Sequence, residues 1–242
     1  VQVDNEYRMY YTARCNENYD MGIGVAKSLR PYGFIGNDTP LMEGKNYEII
    51  DPCFFRDPKT GRDFLFYGSN FQPIRARELN SEGTGFASTK CYDIIRPTPG
   101  QRWHNLYEGV FLTYRQESDT YFLWVSSDGT WQRYGVIVYR SKHVLGPYEE
   151  VNDGNPILRS NWKLQRPGQN CVFQVNGQEY IAYHAVKRDD PYVYGVPRYD
   201  KKGRLQKRGH LKRAMCIDKV EYIANEPKIA GGTPNSFVTI NE

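Results

Sequence analysis

The chain reads as all-β, a propeller of about four blades, and three observations say so. Four segments share one pattern: Tyr7-Arg8-Met9-Tyr10-Tyr11-Thr12, Phe64-Leu65-Phe66-Tyr67-Gly68-Ser69, Tyr121-Phe122-Leu123-Trp124-Val125-Ser126 and Tyr180-Ile181-Ala182-Tyr183-His184-Ala185. Each follows a polar turn, such as Asp57-Pro58-Lys59-Thr60-Gly61 or Glu117-Ser118-Asp119. The spacing is nearly constant: Tyr7 to Phe64 and Phe64 to Tyr121 are 57 positions each, and Tyr121 to Tyr180 is 59. A β-rich repeat of that length is a propeller blade. A glycine-led stretch trails the pattern in three units, Gly22-Ile23-Gly24-Val25, Gly85-Phe86-Ala87-Ser88-Thr89 and Gly135-Val136-Ile137-Val138. We expect it to be the third strand of a four-stranded blade.

The blades fall in order along one domain, 1–242. The first unit, 1–49, opens on Val1-Gln2-Val3 and passes straight into the turn Asp4-Asn5-Glu6. Later units place a full strand before that turn, so a segment preceding the first blade, or a second chain, is expected to complete the ring. The second unit, 50–102, begins at Ile50-Asp51. The third, 103–158, holds Tyr107-Glu108-Gly109-Val110-Phe111-Leu112, a carboxylate leading an apolar run that hairpins into Tyr121–Ser127. The fourth, 159–242, carries a basic insertion and then Arg213-Ala214-Met215-Cys216-Ile217-Asp218. Proline and glycine fall between strands, as in Gly146-Pro147-Tyr148-Glu149, and no helix is expected.

Two acids share one place in the repeat. Asp51 precedes Phe64 by 13 positions, and Glu108 precedes Tyr121 by 13. Each should stand at the start of an innermost strand, where such positions ring the central channel. Either acid alone could be a turn residue; the shared register favours convergence at one mouth of the channel. Paired carboxylates in a tyrosine-rich funnel suit glycoside chemistry.

Composition narrows the classes. Charged residues make up 25% and hydrophobic residues 39% of the 242, which excludes a membrane protein and argues against disorder. The net charge is +4, with excess lysine and arginine at Lys201, Lys202, Arg204, Lys207, Arg208, Lys212 and Arg213. No nucleic-acid motif accompanies them, so they read as a solvated loop. The 20 tyrosines suit both a propeller core and flat platforms for sugar rings. Cys15, Cys53, Cys91, Cys171 and Cys216 have no CxxC spacing and read as mostly buried free thiols. The compartment stays open.

In four places, in family order, the residues resemble glycoside hydrolase family 43, the five-bladed propeller hydrolases of arabinose- and xylose-containing polymers. Ile50-Asp51-Pro52-Cys53-Phe54-Phe55-Arg56-Asp57 is similar to its "D-P/A-x-x-F-x-D" blade, and Tyr107-Glu108-Gly109-Val110 to its "E-G/A-P" blade. Arg166-Pro167-Gly168-Gln169-Asn170-Cys171-Val172-Phe173 with Tyr183-His184-Ala185 resembles "G-P-G-H-N-S-V-F … Y-H-A". Arg213-Ala214-Met215 through Asn225-Glu226-Pro227 resembles the closing segment. The resemblance implies Glu108 as general acid and Asp51 as the carboxylate that tunes its pKa. It implies Arg213, Tyr107, Phe54 and Gln169 as substrate contacts, and His184 as the histidine that holds a calcium ion through water. An oligo- or polysaccharide is the implied partner. The family's first blade, with its "D-P-S" general base, has no counterpart here, and Gln169 stands where the family usually has histidine. Asp20, Asp57, Asp128 and Asp153 read as solvated turn residues, so the chain offers no obvious base. An inverting hydrolase and a carbohydrate-binding propeller that has lost catalysis both stand.

Overall fold

The computed structural model describes residues 1–15, 20–37, 39–68, 70–129, 133–193, 204, 210–229 and 234. Four antiparallel sheets form a ring, a four-blade β-propeller. The first contains β1 (Gln2–Val3), β2 (Glu6–Arg14), β3 (Met21–Ser28), β4 (Ile35–Gly36) and β5 (Met42–Glu43). The second runs β6 (Cys53–Arg56), β7 (Asp63–Tyr67), β8 (Ile74–Glu78), β9 (Tyr92–Ile95). The third holds β10 (Tyr107–Arg115), β11 (Thr120–Ser127), β12 (Gly135–Ser141), β13 (Glu149–Glu150) and β14 (Leu158–Arg159). The fourth is built from β15 (Leu164–Val175) and β16 (Gln178–Lys187), completed after a small pair, β17 (Tyr192–Val193) with β18 (His210–Leu211), by β19 (Arg213–Ile223) and β20 (Glu226–Ile229). Among the described residues the only helical element is a 3-10 turn at Asn152–Gly154. No helix among them is long and apolar enough to cross a membrane.

Packing between sheets explains the repeat. Strand β11 is buried along its whole length, so it reads as a continuous apolar run. Its odd residues Tyr121, Leu123 and Val125 join Phe64, Phe66 and Ile74 of the second sheet. Its even residues Phe122 and Trp124 join Leu164, Ile181, Tyr183 and Val220 of the fourth. A third cluster, Ile23, Ile49, Leu65, Tyr67 and Leu79, binds the first sheet to the second. Alternation along a strand thus sends one face to each neighbouring blade.

Three expectations need correction. In the second unit the third strand is β8, and Gly85–Thr89 forms no strand, only an isolated bridge of Phe86 to Leu79. β8 was hidden because its apolar residues alternate with Arg75, Arg77 and Glu78, and Arg77 lies 3.6 Å over the Phe86 ring. Only two of the five free cysteines, Cys53 and Cys216, are buried. Asp57 and Asp128 are not solvated. The first accepts hydrogen bonds from the Tyr121 and Thr60 hydroxyls and the second from the backbone N–H groups of Trp103 and Asn105, and both are buried. Of the basic cluster, Lys201, Lys202, Lys207 and Arg208 lie outside the described residues.

Candidate active site

Asp51 and Glu108 come together. The Asp51 carboxylate accepts the Gly109 N–H at 2.9 Å, which ties it to the residue beside Glu108. Its own N–H donates to the Thr12 hydroxyl at 2.9 Å, so three successive units meet here. Burial, and then the charge of Glu108, push the Asp51 pKa up to about 6; the Gly109 N–H and the Gln169 side chain oppose the rise. The charge of Glu108 is thus the second cause of the rise at Asp51, after burial.

Local backbone makes this possible. Asp51 adopts φ 54°, a left-handed conformation that aspartate tolerates better than most residues. Gly109 has φ +58°, and a Cβ there would come within 2.9 Å of both the Gln169 and Ser126 side-chain oxygens. The β10–β11 register slips between Glu108 and Phe111, and the β15–β16 register slips on both sides of Gly168. These bulges turn Glu108 and Gln169 toward the same place.

The other predicted residues divide. Gln169 is at the site, its N–H donating to the Ser126 hydroxyl at 2.7 Å. His184 stacks on Tyr134 with centroids 5.7 Å apart, and burial followed by Arg213 lowers its pKa to about 4. Arg213, exposed at the start of β19, stands close enough for that repulsion. Phe54 is half-buried and stacks on Tyr10 at 5.8 Å. Tyr107 is the correction: it is only 1% exposed, and its hydroxyl bonds His104 and Tyr139, each at 2.7 Å. It has no surface for a sugar, because its place in β10 points it into the core shared with the second sheet.

Calcium requires six to eight oxygen ligands. Here a half-buried imidazole sits beside an arginine, and no three His, Cys, Asp or Glu side chains among the described residues form a cage. These side chains form no direct oxygen cage, and the chemistry below is carried by the chain's own residues. Tyr134 and Ser126 were missed in the sequence. Tyr134 donates to Glu108 Oε1 at 2.7 Å, yet it lies outside the aligned motifs, with only the following Gly135 to mark it.

Glu108 on β10 and Asp51 two residues before β6 thus stand together at the starts of neighbouring blades, a pairing that suits glycoside chemistry. The chain belongs to glycosyl hydrolases family 43, whose sequence model matches residues 1–226. It is 31% identical over 180 residues to the extracellular endo-alpha-(1->5)-L-arabinanase 2 of Bacillus subtilis, a match covering 64% of this chain and 36% of that protein. It is 26% identical over 230 residues to the extracellular endo-alpha-(1->5)-L-arabinanase of Thermotoga petrophila, covering 80% and 46%. The chain therefore spans about a third to a half of these relatives. An alpha-L-arabinanase structure from Cellvibrio cellulosa superposes with TM-score 0.73 at 19% identity, covering 95% of this chain and 75% of that one. A xylan beta-1,4-xylosidase from Bacillus halodurans gives TM-score 0.73 at 20% identity, covering 98% and 44%.

Proposed function

We propose that the chain carries the acid side of an inverting glycoside hydrolase site for arabinose- or xylose-containing polysaccharides. The supporting observation is the pairing of Asp51 with Glu108 through the Gly109 N–H. Protonated Glu108 gives its proton to the leaving glycosidic oxygen as that oxygen's bond to the anomeric carbon breaks. Water attacks the opposite face of that carbon, and a base takes the water's surplus proton. Asp51 stands beside the acid, its carboxylate tied by the Gly109 N–H to the residue that follows Glu108. Arg213 is the substrate contact at the rim.

The base comes from outside the described residues. Asp57 and Asp128 are held in turns, and Asp20 accepts the Asn46 N–H. The outer faces of the first and fourth sheets, with Met9 41% and Met215 79% exposed, suit a further sheet that would bring it. A second reading, glycan binding without hydrolysis, draws on the same shortage of a base. The deciding experiment is Glu108→Gln in the full-length protein, assayed on aryl arabinofuranosides and xylosides. Turnover should fall by a factor on the order of 10² to 10⁴ with the fold kept. Unchanged turnover would remove Glu108 from the mechanism. Saturable oligosaccharide binding by a parent protein without turnover would favour the second reading.

A further inference from the structure

We propose that Tyr134 is a positioning residue that fixes which oxygen of Glu108 carries the transferable proton. The inference rests on the acid role given above to Glu108.

Tyr134 is 1% exposed, so its hydroxyl needs a partner in the protein, and that partner is Glu108 Oε1 at 2.7 Å. Three contacts hold the ring. One face stacks on His184 with an interplanar angle of 22°. Gly168 lies against the ring so closely that a Cβ there would come within 2.0 Å of the aromatic carbons. The Ser126 hydroxyl, itself the acceptor of the Gln169 N–H, is the third. Burial, and then the charge of Glu108, raise the tyrosine pKa well above its ordinary value, so the hydroxyl keeps its proton.

The consequence is directional. With the Ser126 hydroxyl bonded to the phenol oxygen, the phenol's own proton goes to Glu108 Oε1. That oxygen then holds an accepted hydrogen bond, and the acid proton belongs on Oε2. Without the tyrosine, Oε1 loses this donor, and the proton is held less firmly to Oε2. Fixing the donor in this way is orientation, which lowers the barrier of a proton transfer without adding substrate affinity. No atoms are exchanged by Tyr134 itself.

The test uses full-length protein carrying Tyr134→Phe, which keeps the ring, its stack and its fit against Gly168. Phenyl and 2,4-dinitrophenyl glycosides of the pentose that the parent turns over serve as the probes. A phenolate leaves poorly and needs the proton; a dinitrophenolate leaves without it. The expected result is a fall in kcat of about tenfold or more on the phenyl glycoside, with KM within about twofold and under about threefold loss on the dinitrophenyl glycoside. Equal losses on both substrates, or none on either, overturn the proposal. Ser126→Ala is the second variant should Tyr134→Phe unfold, and it should give the same asymmetry in weaker form; a symmetric loss again overturns the proposal. Glu108→Gln run beside them separates the two ideas. If it stays active on the phenyl glycoside, the acid assignment fails. If it is inactive while Tyr134→Phe matches the parent, only the positioning role fails.

Discussion

Asp51 holds its carboxylate where burial and the neighbouring acid both disfavour charge, and this has a consequence for stability. Its pKa rises from 3.8 to about 6 on folding. A group whose pKa is raised in the folded state favours folding while protonated. That contribution is complete below about pH 4 and is lost as pH climbs through about 6. Asp51→Asn keeps an oxygen for the Gly109 N–H but never ionises. It should therefore be more stable than the parent above pH 6, by about 3 kcal/mol, with the difference gone below about pH 4. Denaturant midpoints at pH 4 and pH 8 read this directly. A variant equally or less stable than the parent at pH 8 would mean that the carboxylate is well solvated.

The β10 bulge joins fold to site at the scale of an element. It places Glu108 at the mouth and turns the Gly109 N–H onto Asp51, using a backbone conformation that side chains strain to adopt. Gly109→Ala should cost about 1–2 kcal/mol in stability and displace Gln169 and Ser126. Turnover should fall more than tenfold, with a stability change too small to unfold the protein; an unaffected rate would show that the bulge geometry is dispensable. The bulge was not legible beforehand, because Gly109 reads equally well as a residue in a plain strand. β8 was lost for the related reason that a strand with one charged face resembles a loop until its partner Phe86 is seen.

Across the whole molecule, stability lies between sheets more than within them. Trp124 is fully buried on the face of β11 that meets the fourth sheet, and its indole N–H donates to Thr113 at 3.0 Å. Trp124→Ala should cost about 3–5 kcal/mol. Because consecutive sheets share their cores, fluorescence and circular dichroism should report one coincident transition at a lower midpoint. Separate transitions would mean that the blades fold independently.

How much could be read in advance follows from range. The propeller, the four-unit repeat and the common register of Asp51 and Glu108 were all visible, because strands buried on both faces must be apolar and blades must recur at a set length. Those constraints act within tens of residues and leave a periodic trace. The burial of Tyr107, the reach of Tyr134 to Glu108 and the burial of Asp57 were invisible. Each depends on which way one side chain turns after a bulge or across a gap between blades, and only packing in three dimensions decides that.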